Sequence, residues 1–366
     1  MNIALPAAYF IRKKRIALKT FIGIIHITVI SVLLLTSPDH ALAQGDPDHN
    51  KLPFKELIFA LNESEDSHAP SIIELPDGDL FAVWYAKVLG TGTTGIWGGR
   101  RNGSSTAWTD ICAINSTPGR ANKNPVLCLT KEKKLLLIWV EEVRWHKWKR
   151  DILRIKRSDD LGRTWSAAED LGDFRGFLTK NHPLVLPNGE IILPVYTDWS
   201  TSSAVISSKD GGLTWSKPSF LMYLFGTQPT IIERDDSSLF ALMRTGMPPR
   251  LAWQAVSFDL GKAWSVRKLS SVKNPGASLE MVKLKNGKIV LAFNDSKDSR
   301  KKLSLALSED GGRTWGPSKI IASSDQDSNC YPSIIQDRNG LIHVVYVHDG
   351  RRGIGHFVTD EKWITE

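Results

Sequence analysis

Six prolines in this sequence follow polar or aromatic residues whose side chains could do chemistry: His68-Ala69-Pro70, Asn124-Pro125, His182-Pro183, Gln228-Pro229, Asn274-Pro275 and Tyr331-Pro332. Lys123, Lys180 and Asn181 stand beside them. A phenol, two imidazoles, three amides and ammonium groups form a set suited to a hydroxylated, negatively charged ligand. Arg244, which closes LFALMR, and Arg300, which opens RKKLSLALSEDGG, extend it. Two guanidinium groups can hold a carboxylate in paired hydrogen bonds and orient it. Tyr331 brings the phenol to this set, and His68 and His182 each bring an imidazole able to exchange a proton.

Each of these residues opens the same kind of segment. A polar residue and Pro lead into a run rich in β-branched and aromatic residues, then a turn, then a second such run. Asp77-Gly78, Asn188-Gly189, Asn286-Gly287 and Asn339-Gly340 supply hairpin turns in four of the copies. A second series runs out of phase: SDDLGRTW, SKDGGLTW, SFDLGKAW and SEDGGRTW, ending at Trp165, Trp215, Trp264 and Trp315. RNGSSTAW, ending at Trp108, reads as a degenerate copy. A period near 50 residues indicates propeller blades or a solenoid. Six hairpins alternating with six more, and no helical periodicity, predict an all-β chain: a six-bladed β-propeller of four-stranded antiparallel blades.

The Asp of the eight-residue motif fits a turn, accepting backbone N–H groups while Gly takes a positive φ and Trp packs beneath. Four identical carboxylates spaced around a ring do not suit a single pocket, so Asp160, Asp210, Asp259 and Asp310 are read as structural. The innermost strand of every blade begins at one mouth of the channel. The Pro-led residues are therefore expected to share a pocket there.

These motifs are Asp boxes, and their phase against the Pro-led hairpins resembles the sialidase (neuraminidase) family from about Phe54 to the C-terminus. The resemblance implies three arginines on a substrate carboxylate, a Tyr nucleophile assisted by a Glu, and an Asp acid/base on an early loop. Arg244 and Arg300 match the second and third arginines, and Tyr331 the nucleophile. His68-Ala69-Pro70 replaces the expected Arg-x-Pro, Gln228 stands where the Glu belongs, and GTGTTGIWGG (Gly90 to Gly99) carries no carboxylate. Glu280, in NPGASLE, is the remaining acidic candidate. The expected catalytic group is thus Tyr331, His68, Gln228 and Glu280, with Arg244, Arg300, Asn124, Lys180, Asn181, His182 and Asn274 binding substrate. Three functions fit: a glycoside hydrolase acting on a terminal acidic sugar, a lyase cleaving uronate-containing glycan by β-elimination, and a non-catalytic glycan-binding propeller.

Composition narrows the partners. A chain of 366 residues with 42% hydrophobic content, 13 Trp and 5 Met is neither disordered nor helical-bundle-like. Arg12-Lys13-Lys14-Arg15, the apolar stretch from Phe21 to Leu35, and Ala41-Leu42-Ala43 before Gln44 read as a signal peptide over residues 1–43. A short linker (44–53) follows, then the propeller (54–366). An uncleaved membrane anchor is the rival reading of that leader; either way the product is exported, periplasmic or extracellular. Losing the five Lys/Arg and one Asp of residues 1–43 lowers the formal charge from +8 to +4, which suits an acidic glycan and is no nucleic-acid signature. Cys112, Cys128 and Cys330 allow one disulfide at most. No metal or cofactor motif is present, and a monomer is expected. The segment Val140 to Asp160, with Arg144, Trp145, Lys147, Trp148, Lys149 and Arg150, is a basic, aromatic excursion placed to cover the pocket.

Overall fold

The computed structural model describes residues 51–366 except 61–65, 89–91, 104, 106, 143–150, 266–267 and 326–328. The leader lies outside the described residues, as do Gly90 and the six basic and aromatic residues singled out between Arg144 and Arg150. Six antiparallel sheets of four strands each form the blades of a propeller. The first strands of the blades are Ser67–Glu74, Ala121–Leu129, Leu184–Val185, Thr227–Glu233, Glu280–Lys283 and Cys330–Gln336. They line the centre, where strands of neighbouring blades touch. A five-residue helix, Glu361–Thr365, ends the chain; it is too short to leave a periodic signature in the sequence.

Middle strands are apolar on both faces because each blade is sandwiched between two others. Leu135, Leu136, Leu137, Ile138, Trp139 and Val140 are all fully buried, as a continuous apolar run requires. Among the described residues, five hydrophobic clusters each join two consecutive blades and a sixth joins blades 1, 2 and 6. One, for example, unites Val126, Ile138 and Ile155 of blade 2 with Ile191, Val195 and Ile206 of blade 3. The ring closes where Phe54–Ala60 pairs antiparallel with Gly353–Thr359, so the last blade takes its outer strand from the beginning of the described chain. Glu56 secures that closure. Its Oε1 accepts from His356 Nδ1 (2.7 Å), Arg101 Nη1 (2.9 Å) and Trp108 Nε1 (3.0 Å). Trp108, the aromatic of the degenerate motif copy, thereby ties blade 1 to the closing strand.

The Asp boxes join the third and fourth strands of blades 2 to 5. In blade 2, Ser158 Oγ donates to Asp160 Oδ1 (2.7 Å), while Thr164 donates from N (2.8 Å) and Oγ1 (2.6 Å) to the same carboxylate. Leu161 and Gly162 both take positive φ, 59° and 85°, so the turn places even a leucine in the left-handed region. Bonds from Thr164 and Thr214 hold Asp160 and Asp210 at about 2. At Asp310 slight burial pulls upward, but Thr314 outweighs it and the carboxyl again rests at about 2. Groups so acidic are ionised at neutral pH and cannot donate protons there. The three cysteines are free thiols.

Burial pushes His356 down to about 4 against the upward pull of Glu56. Glu56 also lies below its ordinary value, His356 and Arg101 outweighing its desolvation. A depressed folded-state value means that stability is complete above the unfolded value and is lost as pH falls through the folded one. The unfolding temperature should therefore fall as pH is lowered from about 6.5 towards 4. His356→Gln should start lower at neutral pH and lose less over that interval. Thermal melts at stepped pH test this, and an unchanged slope would remove His356 from the closure.

Candidate active site

Proline sets the geometry of the channel mouth. It lacks an N–H and crowds the residue before it, so the first strand cannot keep register with the second. The ladder slips between His68 and Ser71, Lys123 and Val126, Thr227 and Thr230, and Cys330 and Ser333. At each slip the residue before Pro takes a positive φ: Ala69 47°, Asn124 49°, Gln228 50° and Tyr331 54°. Bulges re-aim side chains, and non-glycine residues held in this region commonly mark functional sites. Ala69 holds the equivalent position in blade 1, with His68 one residue earlier.

The structure brings Tyr331, Arg244, Gln228, His68 and Asn124 together. Arg244 Nη1 donates to Tyr331 Oη (2.7 Å) and to Gln228 Oε1 (3.1 Å). His68 meets the Tyr331 ring edge-on, with centroids 4.1 Å apart, and lies beside Tyr85 at 5.4 Å. Gln228 Nε2 and Asn124 Nδ2 both donate to Tyr196 Oη, at 3.3 and 3.2 Å. Arg300 is braced by a bond from Nη2 to the Gly276 carbonyl (2.7 Å). Arg351 pairs with Asp66 at 3.1 and 3.0 Å. Tyr85 and Tyr196 were not among the residues expected from sequence. A signal existed: each stands five residues after the first residue following its hairpin turn pair and turn-closing residue, the place of Arg244 in blade 4 (Leu80 to Tyr85, Ile191 to Tyr196, Leu239 to Arg244).

The pocket is strongly cationic. Burial pushes His68 well below its ordinary value, and Arg351, Lys180, Arg300 and Arg244 push it further. His68 is therefore a neutral imidazole, and among the described residues its buried Nδ1 has no hydrogen-bond partner. Both bonds from Arg244 end on neutral oxygens, so among the described residues its charge is not cancelled by a contacting carboxylate.

Lys180, Asn181, His182 and Glu280 lie beneath this group and stitch the ring together. Thr179 Oγ1 donates to Asn124 O of blade 2 (2.8 Å), and Lys180 Nζ to Pro332 O of blade 6 (3.1 Å). Asn181 Nδ2 reaches Gln228 O, Pro229 O and Leu279 O at 3.0–3.1 Å. His182 Nε2 donates to Ile72 O (2.7 Å), and its backbone N–H to Glu280 Oε1 (2.7 Å). The other oxygen of Glu280 accepts from Ile334 N (3.0 Å). Ser71, Thr230 and Ser333 hydroxyls make the corresponding links from one inner strand to the next elsewhere in the ring. Glu280 is fully buried, yet lies below its ordinary value because His182 and Lys180 outweigh desolvation. Lys180 also contacts the reactive group from below, its Nζ 5.9 Å from the Tyr331 ring centroid. Asn274 is engaged with its own loop, accepting from Thr245 N and Gly276 N and donating to Ala277 O.

A cavity of about 410 Å³ occupies the opposite mouth, lined by Ile73, Leu127, Ile231, Val282 and Ile334 with His182 and Glu280 at its base. It contains none of the Tyr331 group. Among the described residues no cluster of His, Cys, Asp and Glu could hold a metal ion.

Comparison with known proteins agrees with this architecture. A profile of the BNR repeat-like domain matches residues 63–344. The fold is similar to that of a Dyadobacter fermentans protein of unknown function (TM-score 0.71, 17% identity, 83% of this chain and 97% of that one). It is also similar to the intramolecular trans-sialidase of Ruminococcus gnavus (TM-score 0.68, 14% identity, 84% and 98%). The Penicillium chrysogenum alpha-L-arabinanase gives a TM-score of 0.64 at 16% identity, covering 84% and 98%. No curated protein sequence matches the chain.

The two layers of the site should respond differently to mutation. Glu280→Ala leaves His182 and Lys180 as buried groups without their carboxylate and should cost roughly 3–5 kcal/mol. Tyr331→Phe removes one accepted bond and should cost about 1 kcal/mol. Urea unfolding of both variants checks the contrast, and equal losses would contradict it.

Proposed function

The chain belongs to the family of BNR repeat-like domains, and from that premise we propose that it is a carbohydrate-active enzyme, a glycoside hydrolase acting on a terminal acidic sugar. The carrying observation is Arg244: a half-buried guanidinium that, among the described residues, donates to Tyr331 and Gln228 and to no carboxylate, keeping its charge for a ligand. Arg300, Lys180 and Arg351 add to the field at His68. A sugar carboxylate seated on Arg244 and Arg300 places its ring over Tyr331. Asn124 and Gln228 offer amides to its hydroxyls. Tyr331 Oη then attacks the anomeric carbon, and the bond from Arg244 stabilises the phenolate as it forms.

A second reading, uronate β-elimination, draws on Gln228 and His68. Gln228 cannot take the phenol proton as a carboxylate would. The neutral His68, edge-on to Tyr331 with Nδ1 unpartnered among the described residues, is the acceptor this reading assigns, taking the proton once a substrate carboxylate offsets the cations around it. Guanidinium groups on the uronate would acidify its C5–H for removal by the Tyr331–His68 pair. Export is part of the proposal and rests on the basic and apolar leader of residues 1–43.

A screen against defined acidic oligosaccharides, following reducing ends and the ultraviolet absorbance of unsaturated uronate together, separates the readings. Hydrolysis gives reducing ends alone, elimination gives both signals, and a pure binding module gives neither. Tyr331→Phe and Arg244→Ala are each expected to lower kcat/KM by about 10²-fold or more. Full activity in both would overturn the assignment of this pocket.

A further inference from the structure

Leaving-group protonation has no donor in the Tyr331 group, and the geometry points to Asp198. We propose that Asp198, at the rim of the pocket, donates the proton to the leaving-group oxygen; this rests on the hydrolase reading above. The second strand of blade 3, Ile191–Thr197, runs towards the mouth, and Tyr196 near its end bridges Leu178. Tyr196 projects into the pocket, where it takes hydrogen bonds from Asn124 and Gln228. Asp198 follows two residues later in the exposed turn beyond the strand, closer to solvent than Tyr196. Its electrostatic neighbours come from three blades: Arg244 from blade 4, Lys123 from blade 2 and Tyr196 from its own. It therefore stands at the rim within electrostatic range of the arginine that carries the substrate assignment.

Four other carboxylates near this mouth are engaged. Asp66 is paired with Arg351, Glu142 with Lys123, Glu141 with Arg120 and Asp295 with Lys273. Asp198 makes no ion pair or hydrogen bond among the described residues, which leaves its carboxyl available to a ligand. Partial desolvation raises it above its ordinary value, against the pull of Arg244 and Lys123. An accessible carboxyl whose neutral form is favoured is what a general acid needs. The rim on this side also carries exposed aromatics: Trp199 is 52% accessible and Phe225 47%. Their loops are joined by bonds from Phe225 N to Thr201 Oγ1 (3.0 Å) and Leu224 N to Ser202 Oγ (3.4 Å). The departing sugar would leave across this apolar edge.

In the step assigned, the carboxyl proton of Asp198 passes to the glycosidic oxygen. The bond from that oxygen to the anomeric carbon breaks, its electron pair staying on the oxygen as a hydroxyl. A new bond forms from Tyr331 Oη to the anomeric carbon, the phenol proton passing to His68. Water then displaces Tyr331, giving one proton to the Asp198 carboxylate while its hydroxyl bonds to carbon; the phenolate recovers its proton from His68. The balance is one glycoside and one water giving two hydroxyl compounds.

The test uses the full chain with paired substrates, the 4-methylumbelliferyl and methyl glycosides of N-acetylneuraminic acid and of glucuronic acid. The aryl leaving group departs without a proton; the methyl one does not. Asp198→Asn should lower kcat/KM on the cleaved methyl glycoside by about 10²–10⁴-fold, and on its aryl partner by about tenfold or less. The basic limb of the pH–rate profile should disappear, Asp198→Glu should recover part of the lost rate, and the unfolding temperature should not move, since the side chain is exposed. Equal losses on both glycosides, or no loss on either, with the wild type active, would overturn the role of Asp198 alone. A wild type that cleaves no aryl glycoside would overturn the hydrolase reading and this role with it.

Discussion

Asn181, on the axis of the ring, is the point on which the architecture turns. Its single amide nitrogen faces carbonyls of blades 4 and 5, while its neighbours Thr179, Lys180 and His182 reach blades 2, 6, 5 and 1. Six wedge-shaped blades packed only by apolar faces would leave unpaired backbone groups around a central channel. Buried N–H and C=O groups without partners are costly. In blade 3 the strand that would line the channel shrinks to Leu184–Val185, and the residues ahead of it turn inward and satisfy those groups. The short strand is thus the condition for the polar plug.

That plug also supports the chemistry above it. Lys180 donates to Pro332 O, the carbonyl immediately after Tyr331, and so fixes the backbone that presents the phenol. Glu280 compensates the buried positive charge, closes the link to Ile334 and holds His182 in place. Two of the acidic and imidazole groups that look catalytic in the sequence are accordingly busy carrying the ring. They separate the cationic mouth from the apolar cavity on the far side.

Repeated features were readable because they arise from local chemistry. Ser158, Asp160 and Thr164 make the box turn from eight consecutive residues, and its period counts blades. Pro125, Pro229 and Pro332 each force a bulge onto the residue before them, so Asn124, Gln228 and Tyr331 could be placed in one pocket from sequence. His182 and Asn274 also precede prolines, but no strand runs through their segments, and strand register does not govern where they point. Glu280 takes the inter-strand linking role that Ser71, Thr230 and Ser333 hydroxyls fill in other blades. The closure by Phe54–Ala60 joins residues about three hundred positions apart, a pairing that no local pattern encodes. Asp198 is not singled out by the sequence because its turn, after Ile191–Thr197, matches neither repeat.

The departures from the sialidase pattern have a common electrostatic sense. A carboxylate at position 228 would neutralise Arg244, and Gln228 does not. An arginine at position 68 would add another cation to a site already felt by Arg351, Lys180, Arg300 and Arg244, and the neutral His68 does not. The first change leaves the charge of Arg244 without a contacting carboxylate at that position; the second limits how much positive charge accumulates. A desolvated guanidinium is costly until an anion arrives. Under the proposed hydrolase reading, a ligand carboxylate seated on Arg244 would supply the counter-charge that Gln228 does not, while the same guanidinium keeps its bond to Tyr331 Oη. On that reading one residue both recognises the acidic group and positions the phenol, so a neutral sugar of the same shape would forgo the charge interaction.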